Sequence, residues 1–306
     1  MQVEFWGVRG SIPSPGPDTV EYGGNTSCIA IRYGPHSGLI VVDAGTGIKR
    51  LGDHLVKSEL PNGSIHAHLF LTHTHWDHIM GFPFFTPIFI PGNEIDVYGP
   101  VTHENDTIEQ IIGMQLSYRY FPVRQNELAA TIRYHELKEE TFDLPDGMRI
   151  TTKFLNHPIL CLGYRFDYGG KSVATVYDNE PFRNLFPTDP QHPDYDPGLA
   201  EEGEDAAREQ NEQLRAFFHG SDLLIHDSQY TLQEYLKARI GWGHSPFEFA
   251  INAAHKGQVK TLAFFHHDPL RSDHELRELL ASYRSMIKGK SRVTLTVAQE
   301  QDTITV

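Results

Sequence analysis

Two cysteines, Cys28 and Cys161, in 306 residues leave no basis for a disulfide framework, and a reducing cytosol fits that scarcity. Long apolar runs are missing as well, and none approaches the length of a membrane span. Met1 to Ile12 lacks the basic start and apolar core of a secretory signal, which predicts a cytoplasmic protein with no membrane partner. Positive charge is also scarce: 26 Lys and Arg stand against 40 Asp and Glu, a formal net charge of −14. That balance argues against extended nucleic acid as a partner, because such binding relies on basic side chains neutralising phosphates. A small anionic ligand is less affected, since bound divalent ions can dominate a local field. The chain shows no internal repeat and no low-complexity tract.

What the chain has is histidine, 18 of them, on an ordinary globular background of 39% hydrophobic and 22% charged residues. Its length predicts one domain over residues 1–306, with an insertion at about 180–220. The densest chemistry is His73-Thr74-His75-Trp76-Asp77-His78, an H-x-H-x-D-H pattern after the strand-like run His66 to Leu71. A lone histidine is usually solvated or a satisfied core residue. Three imidazoles and a carboxylate in six residues are costly to place unless something binds them. Imidazole suits zinc and other borderline divalent ions, and the carboxylate tolerates harder ones. Alternation puts His73 and His75 on one side of an extended segment, with Asp77 and His78 where a helix begins. One ion cannot easily use all four, so the spacing points to two adjacent metals.

Around this motif the chain reads as alternating strands and helices. Gln2 to Trp6, Ser27 to Tyr33, Gly38 to Val42 and Glu94 to Tyr98 are strand candidates, and Ile48 to Val56 and His103 to about Leu116 helical ones. The glycines of Gly7 to Gly24 predict tight turns rather than substrate contact. Tyr118, Tyr120 and Phe121 form an aromatic cluster, for which core packing is the favoured role over base stacking. Strands resume at Met148 to Leu155, Cys161 to Tyr168 and Ser172 to Val176. Glu180 to Gly220 breaks the rhythm with five prolines and an acidic helix-like run from Glu201 to Phe218, read as a lid, a partner surface or a solvated insertion. Asp222 to Ile225, Pro246 to His255, Thr261 to Phe265 and Asp273 to Ile287 then alternate strand and helix before final strands at Arg292 to Val297 and Thr303 to Val306. Ser245-Pro246 reads as an N-cap followed by Pro at the first helical position, and Ser272 with Glu275 as a capping box.

Further candidate ligands stand at the ends of expected strands: His157, Asp178 and His266. Ligands so placed can converge on one rim of a sheet. The order H-x-H-x-D-H, His, Asp, His resembles that of the metallo-β-lactamase superfamily, and the resemblance covers nearly the whole chain. It implies an α/β (α+β) fold of four αββα layers. It also implies that His73, His75 and His157 hold one divalent ion and Asp77, His78 and His266 the other, with Asp178 bridging. The two ions would be zinc, with manganese or iron as alternatives, and a hydroxide shared between them would be the nucleophile. Asp43, at the end of a strand, would buttress a ligand histidine, against a plain turn or helix-capping role.

A narrower resemblance lies in Leu223-Leu224-Ile225-His226-Asp227, Gly241-Trp242-Gly243-His244-Ser245 and His266-His267-Asp268-Pro269, which look like the phosphodiesterase branch containing ribonuclease Z. Carried over, Asp227 and His244 become the leaving-group proton pair and, with Asp77, the catalytic residues. Three departures matter. Asp227 stands where that branch has glutamate. His267 competes with His266 as ligand, and the spacing to Pro269 favours His266. The link from His157 to Asp178 is too short for a basic transfer-RNA-clamping arm. Together with the opening F-W-G-V-R-G-S of Phe5 to Ser11, these features imply a hydrolase of a small or cyclic phosphodiester, such as a cyclic nucleotide, often dimeric in related enzymes. Alternatives are a ribonuclease, a lactone, thioester or β-lactam hydrolase, a di-iron redox protein and a non-catalytic scaffold. Arg9, Asn25, Thr26 and Ser27 are possible phosphate donors, with ordinary loop roles favoured.

Overall fold

The computed structural model describes residues 1–35, 38–102 and 106–306. Its first half builds a seven-stranded sheet. The strands are β1 (Gln2–Gly7), β2 (Cys28–Tyr33), β3 (Gly38–Val42), β4 (His66–Phe70), β5 (Glu94–Pro100) and β6 (Thr131–Leu137). The last strand of the chain, β14 (Thr303–Thr305), pairs with β1, so the order is β14-β1-β2-β3-β4-β5-β6. From β3 to β6 the pairing is parallel. The crossovers α1 (Gly47–Ser58), the single turn α2 (Trp76–Ile79) and α3 (Ile108–Gln115) lie along this stretch.

The second sheet runs β13-β12-β11-β10-β9-β8-β7. It consists of β7 (Thr141–Asp143), β8 (Arg149–Phe154), β9 (Leu162–Tyr168), β10 (Lys171–Val176), β11 (Leu223–Asp227), β12 (Thr261–Phe265) and β13 (Thr294–Val297). Its helices are α4 (Pro197–Phe217), α5 (Leu232–Ala238), α6 (Phe247–Lys256) and α7 (Asp273–Ile287). β10 to β13 are parallel.

Three apolar clusters account for the layering. Between the sheets lie Phe5, Ile31, Phe70, Tyr164, Phe166, Ile225 and Phe265, drawn from alternate strand positions. The outer face of the first sheet meets Ile48, Leu51 and Leu55 of α1 and Ile108 and Ile112 of α3, each set spaced to fall on one helical face. The outer face of the second sheet meets Leu214 of α4, Phe247 and Ile251 of α6 and Leu276 and Tyr283 of α7. The result is the four-layer αββα sandwich. No helix among the described residues is long and apolar enough to cross a membrane.

Several local expectations change. Pro246, not Ser245, is the N-cap of α6, because the Ser245 hydroxyl is drawn away to donate to the Asn179 carbonyl. The expected start of α3 at His103 lies outside the described residues, and the helix begins at Ile108 behind a Thr107–Gln110 capping box. Tyr118 and Tyr120 are 53% and 75% exposed, so core packing fails for them; only Phe121 packs inward, edge-on to Phe84. β6, β7 and α5 are additional elements. Between residues 180 and 220, α4 closes on Leu214 and the following Phe218, which belong to the helical layer, so its C-terminal half is a packed wall.

Candidate metal centre and active site

The parallel strands deliver polar residues to one rim. Asp43 follows β3, Thr72 to His78 follow β4, Asp178 follows β10, Asp227 ends β11 and His266 follows β12. At three of these crests the chain departs from ordinary backbone geometry: Asp43, Asp178 and His266 have φ of 63°, 38° and 59°. Non-glycine residues rarely hold such angles unless the surroundings impose them, and such strain gathers at functional sites.

The seven expected ligands come together as two overlapping groups, His73, His75, His157 and Asp178, and Asp77, His78, Asp178 and His266. In each group the ligand atoms lie within 4.8 Å of one another. Asp178 stands between them. Its Oδ2 is 3.5 Å from His73 Nε2 and 3.8 Å from His157 Nε2, while its Oδ1 is 3.3 Å from His78 Nε2 and 3.2 Å from His266 Nε2. Asp77 Oδ2 is 3.3 Å from His78 Nε2 and 3.2 Å from His266 Nε2, and it accepts the Ser11 N–H.

The other ring nitrogen of each of four histidines is occupied elsewhere. His157 Nδ1 donates to the Gly243 carbonyl, His266 Nδ1 to Gln229 Oε1, His78 Nδ1 to Asp43 Oδ2, and His73 Nδ1 lies 3.1 Å from Thr72 Oγ1. Such partners fix the tautomer so that Nε2 points inward with its lone pair. Backbone room serves the same end: a side chain at Gly10 would strike the His266 ring, and one at Gly243 the His157 ring.

The donor set fits a pair of divalent ions. Among the described residues, His73 Nε2, His78 Nε2 and Asp178 Oδ1 are fully buried with no hydrogen-bond partner, an arrangement that costs free energy unless a cation satisfies it. Burial depresses His73 and pushes His157 down to about 4, which keeps both rings neutral and ligand-competent. Burial also opposes charge on His78, but Asp178, Asp77 and Asp43 outweigh it and raise that histidine. His267 does not join either group. Its Nε2 donates to the Ala298 carbonyl, and burial drives its pKa down to about 3.

Beside the second group lies the Asp227–His244 pair, 3.0 Å from Oδ2 to Nδ1, with the His244 ring stacked on His266 at 4.9 Å. Burial acts against the imidazolium, yet Asp227, with Asp178 and Asp77, raises His244 to about 9. Asp227 is itself held by the backbone N–H groups of Asn179, Gln229 and Ser245.

The four possible phosphate donors do other work. Arg9 is fully buried and donates to the carbonyls of Gly23, Asp268 and Arg271. Ser27 donates to Asp43, Thr26 accepts the Thr46 N–H, and Asn25 is tied to Glu300.

Sequence reasoning passed over Thr72, Gln229 and Glu180. Thr72 and Gln229 orient ligand histidines. Glu180 is buried and accepts from Tyr235 Oη and from the N–H groups of Gly241 and Gly243, which pins the G-W-G-H-S loop. Position next to a candidate ligand or strand end was the available signal for each.

Residues 22–174, half of the chain, match the family model of the metallo-beta-lactamase superfamily. The chain belongs to that superfamily, and its His/Asp clusters class it with the metal-dependent hydrolases. Among curated proteins it is 29% identical over 172 residues to ribonuclease Z of Staphylococcus epidermidis, covering 55% of this chain and 49% of that one. It is 26% identical over 297 residues to ribonuclease Z of Lactococcus lactis subsp. lactis, covering 87% and 88%. The chain thus spans about half the length of the staphylococcal relatives and most of the lactococcal one. Among solved structures, the short form of human tRNase Z superposes with TM-score 0.63 at 19% identity, over 100% of this chain and 99% of that one. A diphosphatase from the PhnP family superposes with TM-score 0.60 at 16% identity, over 100% and 97%. These two likenesses concern the fold.

Proposed function

We propose that this protein is a dinuclear metal-dependent phosphodiesterase acting on a small or cyclic phosphodiester. The observation that carries the reading is the buried Asp227–His244 pair, set against His266 at the edge of the metal groups. The pair is placed to protonate a poor alkoxide leaving group, which cleavage of a nucleotide phosphodiester calls for, and lactone, thioester and β-lactam hydrolysis on this fold do not require such a pair.

His73, His75 and His157 would hold one ion, Asp77, His78 and His266 the other, and Asp178 both. Zinc suits the nitrogen-rich set best, with manganese or iron as alternatives. When bound, such ions polarise phosphoryl oxygens and bring water into the nucleophilic range near neutral pH. The protein's own part is orientation and proton delivery. Asp227 accepts a hydrogen bond from His244 Nδ1–H and favours the imidazolium, so the Nε2–H is the proton available to the departing oxygen. Three backbone N–H groups hold Asp227 in place, so the imidazole is set before substrate arrives.

A cavity of about 420 Å³ adjoins His157 and Gly243, walled by α4 and lined in part by Phe182, Arg183 and Phe186. Its size and its mix of aromatic and cationic groups suit the organic part of a small phosphodiester. No basic arm intervenes between His157 and Asp178: β9 and β10 form a hairpin turning at Gly169 and Gly170. That short link supports a small substrate over transfer RNA. Hydrolysis of short RNA is the second reading, favoured by the ribonuclease Z relatives and by the exposed aromatics Trp76 and Tyr120. The net charge of −14 supports the smaller substrate.

The test is a panel of 3′,5′- and 2′,3′-cyclic nucleotides, other small cyclic phosphates and short RNA, run before and after chelation and metal restoration. Turnover of a cyclic or small diester well above RNA supports the reading. Turnover of RNA alone replaces it with the second.

A further inference from the structure

A second histidine–carboxylate cluster lies at the opposite end of β4 from the candidate active site. His66 and His68 alternate on β4, so both project from one face of the sheet. The register sets His68 beside Asp96 on β5 and Asp96 beside Arg133 on β6. His66 Nε2 is 2.7 Å and His68 Nδ1 is 4.0 Å from the same oxygen, Asp96 Oδ2. The two imidazoles sit 4.7 Å apart. The ligand atoms of these three residues all lie within 4.8 Å of one another, which makes them a third group able to hold an ion. β4 alone, from His66 to Phe70, rises roughly 13 Å at about 3.3 Å per residue, and His73 lies beyond its far end, so this group is separate from the first two.

We propose that His66, His68 and Asp96 form an additional site for one zinc-class divalent cation, clipping β4 to β5 at the open end of the sandwich. A tetrahedral ion with bonds of about 2.0–2.1 Å sets its ligands roughly 3.3 Å apart, a spacing these side chains reach by small rotations. The surroundings orient the carboxylate for that role. Asp96 Oδ1 is taken up by His135 Nε2 at 3.2 Å and lies 3.6 Å from Arg133, while Oδ2 is turned to the two β4 histidines. The Arg133 charge is engaged with Glu94 at 2.7 Å. Tyr98 stacks on His135 and places its hydroxyl 3.4 Å from His68 Nδ1, so that ring is packed in position. Access is open, because His66 and His68 line a cavity of about 840 Å³ at this end, shared with Tyr33, Asp146 and Tyr168. Without an ion the same side chains would stand as imidazole–carboxylate pairs, and zinc binding distinguishes the two arrangements.

Untagged protein, stripped by chelator, is dialysed to equilibrium against zinc alone, and metal per chain is measured for wild type, His66→Ala and His135→Ala, the last removing the half-buried ring that holds Asp96 Oδ1. Wild type is expected to bind one equivalent more than His66→Ala, with His135→Ala binding that equivalent more weakly. Zinc is also expected to shift the ring signals of His66 and His68 in a histidine-resolved NMR spectrum. The difference between proteins is independent of how many ions the first two groups take, so the two-metal reading can fail without this one failing. Equal zinc content in wild type and His66→Ala, or His66 and His68 signals that respond to pH but not to zinc, overturns the proposal.

Discussion

Asp43 Oδ2 lies 2.6 Å from His78 Nδ1, with both side chains fully buried, and this contact links the end of β3 to the loop that carries most of the candidate ligands. The same carboxylate accepts from the Ser27 hydroxyl and from the backbone and hydroxyl of Thr72. Asp43→Asn would leave the shape but remove the charge that orients His78 and raises its basicity. Metal affinity is expected to fall about 10–100-fold, as is usual when such an outer partner is lost. Competition with a chelator of known affinity checks this, and an unchanged affinity would reduce Asp43 to a turn residue.

Glu180 bridges Tyr235 and the N–H groups of Gly241 and Gly243, so under the proposed function it would position the loop that carries His244. Glu180→Gln places an amide NH₂ against donors and loses charge-assisted bonds that contribute about 1.5–3 kcal/mol each. The variant should show a lower kcat with KM little changed, since the loop would be misplaced and not removed. A purely structural role predicts lower Tm with the kcat of the folded fraction intact.

The cavity beside His157 makes a separable prediction. Arg183→Ala and Phe186→Ala should raise KM for a small phosphodiester on the order of tenfold, with kcat retained, because each removes contact to the non-reacting part. Equal KM values in steady-state assays would place the substrate elsewhere.

Asp222 tests the electrostatics of the fold away from the rim. Burial pushes its carboxyl up, but Lys260 at 2.7 Å, the Ser172 N–H and Lys171 bring it below the ordinary value. A lowered folded value contributes stability that is present above the unfolded pKa of about 3.9 and lost as pH falls through the folded one. Asp222→Asn should therefore be less stable than wild type at neutral pH, with the gap closing as pH falls below the unfolded pKa of about 3.9. Urea midpoints across that range measure it.

Most strand positions and the rim were legible in the sequence because short apolar runs ended in His or Asp at His73, Asp178 and His266, while Asp227 came from the family resemblance. What was not legible depended on distant partners. Ser245 has the chemistry of an N-cap, but the Asn179 carbonyl takes its hydroxyl. α5 is seven residues long and hides between β11 and the G-W-G-H-S loop; its Thr231–Glu234 capping box was the usable sign. β7 has three residues, too few to show alternation, whereas β6 carries Ile132 and Tyr134 in an alternating pattern that a strand-by-strand reading can find. Tyr118 and Tyr120 look like core residues by type. Arg124 and Glu127 hold Tyr118 at the surface, and Tyr120 is 75% exposed.

The central claim is that the pair Asp227–His244 protonates the leaving group of a phosphodiester, and the dependence of rate on that leaving group tests it most directly. His244→Ala and wild type, both metal-loaded, would be compared on a cyclic nucleotide, whose alkoxide needs a proton, and on bis(p-nitrophenyl) phosphate, whose nitrophenolate leaves readily. Proton delivery by this pair predicts a loss of about 10²–10⁴-fold in kcat on the cyclic nucleotide and a much smaller loss on the aryl ester. Equal losses on both substrates, or cyclic-nucleotide turnover that survives the substitution, would contradict it.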